Sequence, residues 1–336
     1  MRLHIVGQGL AGTALAWRCH QRGVPFRIVD QPRAATASKV AAGLVTPIAG
    51  QRLALTQGWS FLSEMETFYA AIGDVLGERF YQRHETVRFL VSELERTRWE
   101  KRLGDAVFEN ELMQGVPDLP GSLFHPPLHG VFRMRRSGFL RVNAWLEASK
   151  VWFREQGLYE YERALLPEEC KPDGDTLWVF ANGPWLLGLK AFDWLPMRYA
   201  HGDILTLSIP DLGEDARIFN GAGWLLPLGD GLWRAGSTYE ALPRPETVPS
   251  AEGRSKIETN VRVFLRCPYT VEEHVAAVRP VTLTRFPTMG RHPGKSYLAW
   301  FGGFSSKAVL TSPSYAQCFL NYVLDGKPLP AEVDAP

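Results

Sequence analysis

A chain of 336 residues is long enough for two domains with full cores, and 45% hydrophobic with 22% charged residues is the balance of a soluble globular protein. A formal net charge of +1 supplies no long-range field to gather nucleic acid or an anionic membrane. Cys19, Cys170, Cys267 and Cys318 are scattered without a CxxC pair, which argues against a zinc site or a disulfide framework and fits a reducing compartment. The cytoplasm is the expected location.

In chain order, "MRLHIVGQGLAGTALAWRCHQRGVPFRIVD" reads as a strand over 3–6, a helix over Leu10–Gln21 and a strand over Phe26–Asp30. "LHIV" is broken too soon by glycine to be a secretory signal, and no run approaches the roughly 18 apolar residues that span a bilayer. "WSFLSEMETFYAAI" sets Phe61, Leu62, Met65, Phe68, Tyr69 and Ile72 at helical spacing, a buried stripe. From 85 to 136 the pattern is mixed, ending in the strand-like "VFRMRRS", where Arg133 and Arg135 share a face. A helix is expected over 139–157, stopping at Gly157, and a β-rich run over 176–185. "DILTLSIP", "ARIFNG", "GWLLPLG" and "LWRAGSTYE" follow as antiparallel strands, then a helix over 251–267. The last stretch reads as strand, glycine turn and helix. The α/β character of the start thus returns at the end, around a block of antiparallel strands.

Gly7, Gly9 and Gly12 stand in the spacing G-x-G-x-x-G between the first strand and its helix. The first glycine permits a tight turn, the second lets backbone approach a pyrophosphate, and the third lets helix and strand pack closely. The anion then sits at the helix N-terminus, near Leu10 and Ala11. Asp30, 18 residues beyond Gly12 with Gln31 beside it, is placed to take ribose hydroxyls. Strand, helix and acid in register point to a bound dinucleotide. The motif does not separate a nicotinamide cofactor from a flavin, but no second GxGxxG occurs, and 34–50 is unlike the third strand and helix of a nicotinamide domain.

That stretch, "ATASKVAAGLVTPIAG", resembles the segment after the ribose acid in flavoenzymes of the D-amino-acid oxidase and glycine oxidase superfamily. Further likenesses follow in order: "SGFLRVNAWLEA", "TLWVFANGPW", "LPMRYAHGDILTL", "LLPLGDGLWRAGSTYE", "VRPVTLTRFPTMG" and "FGGFSSKAVLTSP". The subfamily most similar in "ASKVAAGLVTP" and the final turn is the oxidase half of the bacterial bifunctional enzyme that matures the wobble uridine of tRNA. The chain departs from the family at Thr284 and Arg285, which stand for Asp-Gly, and at Ser306–Lys307–Ala308, which replaces a more glycine-rich turn.

The resemblance implies an α/β fold: a Rossmann-like FAD-binding domain from residues 1–78, 138–190 and 276–336, and an α+β substrate domain with an antiparallel sheet from 79–137 and 191–275. It implies non-covalent FAD, with Ser38 and Lys39 at the pyrophosphate and Ala42, Gly43 and Leu44 along the ring. Asn182 and Gly183 would close the middle strand. Gly303, Phe304, Ser305, Ser306, Lys307 and Ala308 would form the turn around the flavin head. Catalytic roles fall to Arg279, where the family binds a substrate carboxylate, and to Lys307 as a charge beside the ring. The plain alternatives are an interface ion pair for Arg279 and a solvated lysine for Lys307. Tyr239 and Trp300 could wall the pocket or belong to the core. The implied activity is oxidation of a C–N bond in a small amine or amino acid, with oxygen or another electron acceptor. A tRNA partner is possible but not favoured at a pI near 7.7. No metal and no membrane partner are expected.

Overall fold

A computed structural model describes residues 1–31, 33–55, 57–108, 112–113, 117–161 and 164–334. Strand β1 (Arg2–Val6), helix α1 (Leu10–Gln21) and strand β2 (Phe26–Asp30) form where the apolar runs and glycine breaks place them. β1 is the hub of a six-stranded sheet. It pairs in parallel with β2 and with the strand Thr176–Phe180, which in turn pairs in parallel with Leu298–Gly302. Tyr159–Tyr161 extends the β2 side, and Thr288–Arg291 closes the other edge antiparallel.

Parallel strands need cover on both faces. One face receives Leu3, Ile5 and Ile28 against helices α1, Gly58–Leu76, Val142–Glu155 and Ala308–Asp325; Trp17, Tyr69, Trp145 and Phe153 fill that layer. The other face, with Val6, Val29 and Phe180, is covered by short turns over Gly183–Gly188 and Lys190–Phe192. Trp300 belongs to this second layer at 3% exposure, its indole N–H donating to Thr288 Oγ1 at 3.1 Å. It is core and does not wall a pocket.

A ten-stranded sheet holds the antiparallel strands. The long strand Met197–Ser208 pairs with Leu232–Gly236 on one side and, along its length, with Thr270–Thr282 on the other. Its outer layer is a second core around Phe89, Phe124, Phe219 and Trp233, roofed by the helix Ala251–Arg262. The bounds expected at 138 and 276 fall inside the strands Val131–Leu140 and Thr270–Thr282.

Two elements are shorter than the sequence suggests. The helix expected from 139 begins at Val142, because Phe139 and Leu140 pair with Gln82 and Tyr81 in the large sheet. The helix expected to reach 267 ends at Arg262, because Phe264 and Leu265 turn inward against Phe124 and Phe219. All four cysteines are free thiols. Among the described residues no helix is long and apolar enough to cross a membrane, and no cluster of His, Cys, Asp and Glu could hold a metal.

Candidate active site

Between the two sheets lies a cavity of about 1280 Å³. Every residue expected at the site lines it except Gly12: Gly7, Gly9, Leu10, Ala11, Asp30, Gln31, Ser38, Lys39, Ala42, Gly43, Leu44, Asn182, Gly183, Arg279 and all of 303–308. Gly12 stands one layer behind, where a Cβ would overlap the Gly7 carbonyl oxygen; it serves the contact between α1 and β1.

The glycine turn has the shape of a cradle. Gly7 has φ +106°, a backbone that side-chain-bearing residues rarely adopt, and a Cβ there would press on Ala181 O at 2.9 Å. A Cβ on Gly9 would stand 2.9 Å from the Ser38 hydroxyl. Ser38 in turn accepts the Leu10 amide at 3.0 Å, so the hydroxyl sits on the first turn of α1 where an anion is favoured. It is carried by a short helix, Ala37–Val40, whose cap Thr36 accepts the Lys39 amide at 3.1 Å. The Lys39 ammonium donates to Arg33 O at 2.5 Å, on another residue that lines the cavity.

Asp30 closes β2 with both carboxylate oxygens already oriented. Oδ1 accepts the Gln8 amide at 2.9 Å and Oδ2 accepts the Tyr159 hydroxyl at 3.1 Å. Each oxygen keeps a free lone pair, as two vicinal ribose hydroxyls require. Burial, then the adjacent Asp30 charge, raises the Tyr159 phenol well above its ordinary range, so it remains a donor. Arg33 lies 4.0 Å from the centre of the Trp185 ring at the same end. Asn182 Oδ1, which belongs to a cavity-lining residue, is a buried oxygen without a hydrogen-bond partner among the described residues. A turn without room for Cβ atoms, a hydroxyl on a helix N-terminus, a pre-oriented acid and an orphaned amide oxygen together fit an adenine dinucleotide.

The opposite end is built on the strand pair of the large sheet. Gly202, Ile204, Val275 and Ala277 present a small apolar floor, walled by Trp224 and Tyr239. Arg279 rises from this floor. Its Nη2 donates to Thr238 O at 2.5 Å and to His201 O at 3.4 Å, and its guanidinium lies 5.4 Å from the Tyr239 ring centre. A Cβ on Gly202 would overlap Nη2, so that glycine is what makes room for the cation. Among the described residues no carboxylate lies within ion-pair distance of Arg279, and burial lowers its pKa. Lys307 stands at the rim of the turn Ser305–Lys307 that leads into the last helix. Loss of hydration there, ahead of the like charge of Arg285, lowers its ammonium's pKa too.

Several lining residues carried no role of their own in the sequence, although Arg234 and Trp185 lie in segments with a family likeness. Arg234 donates to Val40 O at 2.9 Å and stands 3.7 Å from Glu273, so it ties the floor to the Ser38 helix. Gln8, Tyr159 and Trp185 are called in only by the folded neighbourhood of Asp30. Arg133 and Arg135 lie away from the cavity, Arg133 being 3.6 Å from Glu85. Cys318, half-buried in the last helix, does not line it either.

The chain matches the model of the FAD dependent oxidoreductase family DAO over residues 2–320. Among solved structures it is similar to iminodiacetate oxidase from Chelativorans sp., at 18% identity and TM-score 0.77 over 98% of this chain and 96% of that one. Glycine oxidase from Bacillus cereus gives 19% and 0.74 over 97% and 96%. L-proline dehydrogenase from P. horikoshii gives 13% and 0.78 over 98% and 95%. At these identities the likenesses speak for a shared fold, whereas the family match covers nearly the whole sequence. The chain belongs to the DAO family of FAD-dependent oxidoreductases.

Proposed function

We propose that this enzyme oxidises the C–N bond of a small α-amino acid, bound by its carboxylate to Arg279. The observation that carries this reading is the guanidinium itself: a half-buried cation at the cavity floor, held by two carbonyls and lacking a carboxylate among the described residues. Such a charge is costly without an anion and best suited to a planar, bidentate one. When bound, FAD would supply the two-electron oxidising capacity for the C–N bond, with the imine product hydrolysed by water and oxygen or another acceptor as the final electron sink.

The chain's own residues do the rest. Gly7, Gly9, Leu10, Ser38 and Asp30 would hold the dinucleotide; Ala42, Gly43, Leu44 and the 303–308 turn would flank its ring. Gly43 is held by packing as well, with φ +75° and no room for a Cβ beside Leu140 O. Arg279 orients the substrate so that one C–H is aimed, which is where most of the rate gain must arise. The apolar floor keeps water from the guanidinium–carboxylate pair. The first amides of the last helix and the Lys307 ammonium favour negative charge at their end of the cavity. The cofactor unit would draw on 1–78, 138–190 and 276–336, with the strand Thr270–Thr282 shared across the border.

The test is anaerobic addition of amino acids to the yellow protein, each paired with its decarboxylated amine. Bleaching by an amino acid and not by its amine supports the reading. Equal bleaching by both removes the carboxylate from it, and no bleaching by any member would favour a flavin-binding protein without this activity.

A further inference from the structure

The strand Met197–Ser208 has two faces. Ala200, Gly202 and Ile204 share the cavity side, while His201 and Asp203 point behind it. Asp203 is fully buried and heavily engaged. Its carboxylate accepts the Ser250 amide at 2.9 Å, the Ser250 hydroxyl at 3.3 Å and the Thr238 hydroxyl at 3.0 Å. His274 Nε2 lies 2.8 Å from it and His201 Nδ1 3.5 Å. The Asp203 amide also donates to Thr238 Oγ1 at 2.8 Å. A carboxylate this saturated is more than a filler: among its neighbours are both residues whose carbonyls grip Arg279, Thr238 and His201.

We propose that Asp203, though it never touches substrate, is the positioning residue that aims Arg279 at the substrate carboxylate. The inference rests on the reading that Arg279 binds that carboxylate. Thr238 is clamped at its hydroxyl from both sides by Asp203, and its carbonyl oxygen is the shorter of the two acceptors of Arg279 Nη2. His201, which supplies the other carbonyl, stands 3.5 Å from Asp203 through one ring nitrogen and faces Val248 O at 3.1 Å with the other. Ser250 caps the helix Ala251–Arg262 and closes the loop that returns from Tyr239. The guanidinium is therefore oriented from behind the sheet. With Nη2 fixed, its remaining N–H groups are left for a ligand.

The experiment titrates holoenzyme with acetate and propionate, and with the uncharged acetamide and propionamide, following the visible flavin spectrum. Asp203→Asn keeps the shape and removes the charge that accepts these donors. It should weaken both carboxylates about tenfold or more while FAD content and amide binding stay as in the wild type. Thr238→Val should show the same selective loss, and Thr238→Ser, which keeps the hydroxyl, should restore binding; this pair decides the matter if Asp203→Asn does not fold. Adding Asp203→Asn or Thr238→Val to Arg279→Met should cost nothing further, since the group being aimed is gone. If Arg279→Met lowers carboxylate binding but Thr238→Val does not, the positioning role is overturned while the reading of Arg279 stands. If Arg279→Met itself binds carboxylates normally, both fall.

Discussion

Replacing Arg279 by Met keeps an unbranched apolar stem on the cavity floor and deletes the charge. In the wild-type protein two carbonyls occupy Nη2, so a ligand carboxylate meets the remaining donors of the planar fork. Each charge-assisted hydrogen bond is worth about 1.5–3 kcal/mol net, and two give roughly 3–6 kcal/mol. Partial rehydration of the carboxylate recovers some of this, leaving about 3–4 kcal/mol. At about 1.4 kcal/mol per tenfold, kcat/KM for an amino-acid substrate should fall by roughly two to three orders of magnitude. Stability should move the other way or not at all, because a half-buried cation without a carboxylate among the described residues is a cost to the folded chain. The assays are steady-state kinetics with the best amino acid from the bleaching screen and a thermal melt of the holoenzyme. Unchanged kcat/KM, or a protein that loses FAD in step with activity, would refute the reasoning.

Gly202→Ala should have the same selectivity by a steric route. Its Cβ would stand 2.8 Å from Thr238 O and overlap the Arg279 guanidinium, so carboxylate affinity should drop about tenfold or more while FAD is retained. Asp30→Asn should weaken FAD by about tenfold or more through loss of a charged acceptor, and Tyr159→Phe by a smaller factor, because it frees one carboxylate oxygen without removing it. Titration of the apoprotein with FAD checks both; equal affinities would move the ribose elsewhere. Lys307 makes a pH prediction. Its folded pKa is lowered, so the folded state bears a cost while the side chain is charged, and that cost is relieved as pH rises through the lowered pKa. Apoprotein carrying Lys307→Gln should melt higher than wild type near neutrality, and the gap should close in the alkaline range. A gap that widens would show that Lys307 is stabilised where it stands.

The opening of the site was legible because its signals are local. A strand, three glycines at fixed spacing and an acid closing the next strand each act within a few residues of one another, and the folded chain brings them to one cavity wall. Ser38 and the 303–308 turn carried no such local logic; only ordered likeness along the chain put them at the site, and the cavity now joins them although 265 positions separate Ser38 from Gly303. The segment holding the glycine at 202 and the acid at 203 carried a family likeness, but the roles of these two residues stayed invisible, since "AHGDI" looks like any strand with a weak point. Their meaning arises from the neighbouring strand, which delivers Arg279 to one face, and from the loop at 238–250, which folds over the other. The misjudged helix ends have the same origin. Phe139, Leu140, Phe264 and Leu265 suit a helix by composition, but pairing with the 81–89 strand and packing on Phe124 decide their conformation.

The most direct measurement is a crystal structure of the yellow protein soaked with a short carboxylate. The dinucleotide should run from Asp30 past Gly9 and Ser38, its ring should lie between Ala42–Leu44 and the 303–308 turn, and the carboxylate should sit in two hydrogen bonds on Arg279. A flavin ring outside the space above Gly202 and Ala277, or a carboxylate bound without that guanidinium, would contradict it.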